Sequence, residues 1–173
     1  MTSTVEIGRS TRASKGALAT LNRVSDSYIG PDGLSASAGT RRVEVADPAT
    51  GQQLGVYVEP TAAEVEAAIA GANAAQKVWN ARTPLVRAEQ LHELAHEMRE
   101  QAPLISELMT LETGKPFKEC MDELDWSASA VDYYAEVGRH SVGTIHGTTV
   151  VGQMHYTLKE PMGTVVIVLP ANF

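Results

Sequence analysis

The chain has 173 residues, 43% hydrophobic and 20% charged, which suits one domain or a small pair and excludes wholesale disorder and collagen-like repetition. Fourteen basic against twenty-one acidic residues leave a formal charge of −7, which gives no bulk attraction to nucleic acid or anionic lipid. One cysteine cannot make an internal disulfide, and no apolar run approaches the ~20 residues of a spanning helix, so the reading is a soluble cytoplasmic protein with no nucleic-acid or membrane partner.

Residues 1–27 are rich in Ser, Thr, Ala and Gly and carry Arg9, Arg12, Lys15 and Arg23 against Glu6 and Asp26. A transit peptide has this composition, but no strong amphipathic face shows, and the segment is expected to be a disordered leader. Residues 28–145 form the next unit. Tyr28 to Gly33 reads as a short strand entering a Pro-Gly turn, followed by a loose Ser/Ala/Gly loop. Arg42 to Val45 and Leu54 to Val58 alternate on either side of Asp47-Pro48-Ala49-Thr50-Gly51, which predicts a hairpin with one buried face.

Helices follow. Thr61 and Glu64 form a capping box ahead of Val65, Ile69, Ala72, Gln76 and Trp79 at helical spacing. Thr83-Pro84 opens a second helix with Leu85, Ala88, Leu91, Leu94, Ala95 and Met98 as its core stripe. Pro103 restarts a third over Leu104 to Leu111, stopped by Gly114. Pro116 opens a fourth, on which Phe117, Met121, Leu124, Ala128, Val131 and Ala135 repeat at threes and fours.

Residues 146–161 change character. Met154, Tyr156 and Leu158 alternate with Gln153, His155, Thr157 and Lys159, as a half-exposed strand does. In residues 162–173, Thr164 to Leu169 runs apolar without a break, the habit of a parallel strand covered on both faces. Such a strand needs crossover helices and neighbours, and only Pro170 to Phe173 follow. The expectation is an amino-terminal fragment of a longer protein, broken off at the start of a nucleotide-binding sheet.

Three patterns could carry chemistry. His92-Glu93-Leu94-Ala95-His96 is an H-E-x-x-H, whose two imidazoles one turn apart could share Zn²⁺ while Glu93 activates water. It flanks a buried stripe, has no third His at suitable spacing, and offers only Glu119 and Glu123 as distant further ligands. A zinc-dependent hydrolase is therefore the alternative reading, and a non-catalytic helical interaction module is another. Cys120 lies towards the core face of its helix with no His placed to deprotonate it, and reads as a small buried hydrophobe. The run Glu112-Thr113-Gly114-Lys115-Pro116 is helix punctuation, and Asp122, Glu123 and Asp125 are a solvated face. Neither a P-loop nor a G-x-G-x-x-G is present.

Taken in order, Asp47 to Gly51, Glu64-Val65 with Ala72 to Trp79, Leu111 to Pro116, Tyr133-Tyr134-Ala135, Glu160 to Gly163 and Val168 to Phe173 resemble the aldehyde dehydrogenase superfamily over residues 28–173. The last piece is similar to that family's strand-end motif P-W-N-F-P, with Ala171 in place of Trp. The resemblance implies an α/β fold. Its parts are a small hairpin, four amphipathic helices, protruding oligomerisation strands over 146–161, and the first strand of a Rossmann-type parallel sheet.

It also implies oxidation of an aldehyde to a carboxylic acid with NAD or NADP. A cysteine thiolate adds to the carbonyl to give a thiohemiacetal, hydride passes to the nicotinamide, and a glutamate-activated water releases the acid. On that pattern Asn172 is the side-chain half of the oxyanion hole, and Val168, Leu169, Pro170, Ala171 and Asn172 line the cofactor. The family's nucleophilic Cys, general-base Glu and adenine-ribose Lys fall downstream of this sequence. The 173 residues alone are thus expected to be inactive, and the longer protein is expected to act on an aldehyde as a homodimer or homotetramer through the 146–161 arm.

Overall fold

A computed structural model of the chain describes residues 15–24 and 27–169. Where the sequence predicts a disordered leader, Lys15–Val24 form helix α1. Ala17 and Leu21, one turn apart, are buried against Leu54 and Leu111, with Val45, Leu104 and Leu108 packed around them. Lys15–Val24 is itself amphipathic, against the expectation that no such face shows, and Ala17 and Leu21 at i and i+4 dock it on the surface formed by β4 and the helix that carries Leu104, Leu108 and Leu111.

Strands β1 (Ser27–Gly30) and β2 (Gly33–Ala36) pair antiparallel through the Pro31-Asp32 turn, with Tyr28 opposite Ser35. The sequence reads β2 as loose loop because Gly, Ser and Ala lack strand propensity, and the tight turn supplies the pairing instead. Strands β3 (Arg42–Ala46) and β4 (Gln53–Val58) form the hairpin expected from their alternation, with Val43 opposite Tyr57. At its turn Asp47 Oδ1 accepts from the Ala49 amide at 2.7 Å. Leu54 and Val58 are the buried face of β4.

Helix α2 (Ala62–Ala81) begins at the expected capping box, in which Thr61 Oγ1 accepts from the Glu64 amide and Glu64 accepts from the Thr61 amide. The same carboxylate reaches out of the helix to the Ala38 amide at 2.6 Å and the Ser37 hydroxyl at 3.2 Å, tying the β2–β3 loop to the helix entrance. The Pro31 turn lies against the middle of α2, where a Cβ on Gly71 would stand 2.8 Å from Pro31 Cα. None of α2 is buried: Val65, Ile69 and Trp79, at the expected helical spacing, leave an open apolar face.

Helix α3 (Pro84–Thr113) is capped by Thr83, whose hydroxyl accepts from the Val86 amide, and stops at Gly114 in the left-handed region with φ 76°. It runs through Pro103, correcting the two helices predicted there. Proline removes one i→i−4 bond and crowds the previous turn, a cost of about 3 kcal/mol in a helix interior. Pro103 lies on the exposed side, where water can reach the freed carbonyl, while Ala102 and Ser106 are held against the neighbouring helix.

That neighbour, α4 (Phe117–Arg139), folds back antiparallel after a three-residue link. The seam is built of small side chains: Ala88, Ala95 and Ala102 at sevens on α3, and Cys120, Ala128 and Ala135 with Leu124 on α4, all buried. Leu85 and Leu94, expected in the stripe, are 45% and 49% exposed, because the seam follows the alanines rather than the leucines.

Beyond α4, β5 (Thr144–His146) and β6 (His155–Thr157) form a short antiparallel hairpin, with Ile145 opposite Tyr156 and every strand residue exposed. Residues 164–169 are an extended, exposed segment outside any sheet. The sequence predicts a buried strand there. Among the described residues no strand lies beside it to complete a ladder.

Candidate functional site

The strand-end stretch is the first candidate. Gly163, with φ 93°, turns the chain into Thr164. Thr164, Val165 and Val166 lie along an apolar groove with Ile29, Val65 and Ile69. Val168 and Leu169 are 87% and 83% exposed. Pro170, Ala171 and Asn172, the other expected cofactor-lining residues and the expected oxyanion donor, lie outside the described residues. Val168 and Leu169 thus present apolar side chains on an extended, exposed segment and enclose no pocket among the described residues.

The H-E-x-x-H pattern resolves differently. His92 points from α3 onto α4, its Nδ1 2.6 Å from Asp132 Oδ1 and its Nε2 2.9 Å from Glu136 Oε1. Glu93 and His96 are exposed. The two carboxylates sit on opposite ring nitrogens, so no single cation can touch both them and one nitrogen lone pair. Among the described residues no group of three or more His, Cys, Asp or Glu is arranged to hold a metal. Glu123, weighed as a distant ligand, is instead paired with Lys115. Nothing supports the zinc hydrolase.

The charges around His92 are shared across the seam. Its hydrogen bonds to Glu136 and then to Asp132 raise its pKa, while His92 and then Arg99 lower that of Asp132. Arg99 Nη2 donates to Asp132 Oδ2 at 2.7 Å. His92 is likewise the main cause of the lowered Glu136 pKa. Lys115 is raised chiefly by Glu123, which locks the α3–α4 link. Sequence reading missed Asp132 and Glu136. The signal was available in their i, i+4 spacing on a helix that must fold back along α3, but only once the antiparallel pairing is known.

Cys120 is fully buried in the seam, with Thr110 Oγ1 donating towards its sulfur at 3.6 Å. It is a packing residue, as the sequence predicts. Since it is the chain's sole cysteine, the 173 residues carry no accessible thiol nucleophile.

A family model described as the aldehyde dehydrogenase family matches residues 35–173. The chain belongs to that family. Among curated relatives, the NADP-dependent succinate-semialdehyde dehydrogenase of Escherichia coli is 35% identical over 135 residues, covering 76% of this chain and 27% of the relative. The glutarate-semialdehyde dehydrogenase of Pseudomonas putida is 31% identical over 150 residues, covering 84% and 30%. This member of the family therefore spans less than a third of the length of either relative.

Among solved structures, the succinate-semialdehyde dehydrogenase of Burkholderia pseudomallei superposes with a TM-score of 0.74 at 32% identity, covering 80% of this chain and 28% of that one. The betaine aldehyde dehydrogenase of Staphylococcus aureus in complex with NAD+ gives 0.74 at 24% identity, covering 84% and 29%, a likeness of fold. The α/β architecture expected for the amino-terminal part of an aldehyde dehydrogenase is thereby established.

Proposed function

We propose that these residues form the amino-terminal part of an NAD(P)-dependent aldehyde dehydrogenase that oxidises a short semialdehyde carrying its own carboxylate. The family match over 35–173 carries the reading. The substrate class rests on the relatives above 30% identity, which are named for succinate or glutarate semialdehyde. A nicotinamide cofactor, when bound, supplies the hydride acceptor. Val168, Leu169, Pro170, Ala171 and Asn172 would line its ribose and nicotinamide side. Asn172 would donate an amide N–H to the alkoxide that develops at the carbonyl, favouring the transition state without a charge that holds the carboxylate product.

The β5–β6 hairpin, uncovered along both edges, suits pairing with a second subunit, which makes the enzyme a homodimer or homotetramer. A cytoplasmic site fits the acidic composition and lone buried thiol. Among the described residues no helix is long and apolar enough to cross a membrane.

The test is to assay the product of the complete gene with succinate and glutarate semialdehyde, reading reduction of NAD⁺ and NADP⁺ by absorbance. Turnover with at least one pairing is the expected result. The isolated 173 residues should give none, because the thiol nucleophile is absent from their surface. Turnover by the isolated chain, or none by the complete product with any aldehyde, would sink the reading.

A further inference from the structure

Both ring nitrogens of His92 face carboxylate oxygens, at 2.6 and 2.9 Å. A neutral imidazole has one N–H and one lone pair, and a lone pair cannot sit that close to a carboxylate oxygen without repulsion. Only the imidazolium satisfies both contacts. The two acceptors are also held unequally. Asp132 is anchored to α3 a second time by Arg99, which also lies 3.9 Å from Asp125. Glu136 has its other partners on its own helix, Arg139 and His140, each 3.6 Å away. Glu89 and His96, a turn to either side of His92 on α3, make no hydrogen bond to the imidazole. Glu136 stands in the last turn of α4, and His140 caps that helix before the chain leaves for β5.

We propose that His92 is a proton-operated clip, which as imidazolium ties the last turn of α4 to α3 and on losing its proton keeps Asp132 but releases Glu136. The clip is closed below the ordinary histidine value and opens as pH rises through the raised value of the folded chain. At the acid end Asp132 and Glu136, both held below the usual carboxylate range, keep it closed through mildly acidic pH. Opening frees residues 137–143, the hinge from which the β5–β6 hairpin departs.

The experiment measures deuterium exchange by mass spectrometry on the 173-residue chain. Exchange at the imidazole C2 position titrates His92, and amide exchange, corrected for its intrinsic pH dependence, reports residues 136–141. His92 should titrate above 6.5, with amide protection across 136–141 falling over the same pH interval while the centre of α4 stays protected. Glu136→Gln, a neutral near-isostere, should lower the His92 titration and abolish the pH step, with helix content at pH 5 retained by circular dichroism. A His92 titration at or below 6.5, or a pH step that persists in Glu136→Gln, would overturn the proposal. If Glu136→Gln fails to fold, Glu136→Asp, one methylene shorter, serves in its place, and an unshifted His92 titration there is equally fatal.

Discussion

Asn172 and Glu64 are polar side chains with opposite tasks, the first proposed to meet charge only during reaction and the second holding it permanently. In the complete enzyme Asn172→Ala should lower kcat by roughly 10²–10³, the cost of one lost oxyanion donor. Cofactor affinity should change far less, because the amide acts on charge absent from the ground state. Near-normal turnover in a folded variant would make Asn172 a turn former only. Glu64 gathers the Ala38 and Thr61 amides and the Ser37 and Thr61 hydroxyls, and its pKa is lowered, first by the Ala38 amide. A carboxyl depressed by folding stabilises fully above its ordinary value of 4.5 and loses that contribution as pH falls through the folded value. Glu64→Gln should therefore weaken the chain at pH 7 and flatten its acid limb, measured as urea midpoints from pH 7 to pH 3. An acid limb identical to that of the parent sequence would show that Glu64 is not the group that titrates.

At the scale of elements, the α3–α4 seam sets what the sequence could and could not disclose. Thr61 with Glu64, Thr83 with Pro84, and Gly114 were legible because a helix end is decided by residues a few positions apart. Pro103 was misread because its cost is offset by contacts with α4, which no local window contains. Strand β2 was hidden for the same reason, being ordered by its partner β1 rather than by its own propensity, while the short amphipathic face of α1 is diluted by the Ser- and Thr-rich residues before it. Cys120 was legible as a packing residue from its place on the core face, whereas the H-E-x-x-H reading of His92 is settled only by Asp132 and Glu136 across the seam. The seam also makes a quantitative demand. Ala128 is fully buried between the helices, so Ala128→Leu should force them apart and destabilise by about 1–3 kcal/mol. The check is a lower urea midpoint with an unchanged slope. Wild-type stability in Ala128→Leu would mean the helices do not meet there.

At the scale of the whole molecule, the apolar surfaces left uncovered among the described residues include the groove joining α2 to residues 164–166 and the β5–β6 hairpin. Val165 to Leu169 are each at least 66% exposed, with no charge among them and high strand propensity, which is the composition of an aggregating segment. A chain cut before Thr164 should stay soluble to higher concentration than the 173 residues, judged by sedimentation after incubation. Equal solubility would argue against any strand-forming tendency there. The hairpin makes a separate demand on the complete enzyme. It should sediment as a dimer or tetramer, and Tyr156→Asp with Ile145→Asp, opposite one another on β5 and β6, should shift it towards monomer. A wild-type enzyme monomeric at micromolar concentration would defeat the arm assignment.

The three-residue link between α3 and α4 bears on the order in which the protein acquires its shape. An antiparallel pair closed by so short a link can zip outwards from it, starting with pairs such as Lys115 with Glu123. Little chain entropy is then lost at each step before the His92–Asp132 contact, 40 residues apart in sequence, is reached. During synthesis the pair can assemble once residue 139 clears the ribosome, before the apolar stretch at 164–169 has emerged. The nascent aggregating segment thus meets a scaffold already standing, and vectorial synthesis gives it a safer passage than refolding of the whole chain from denaturant.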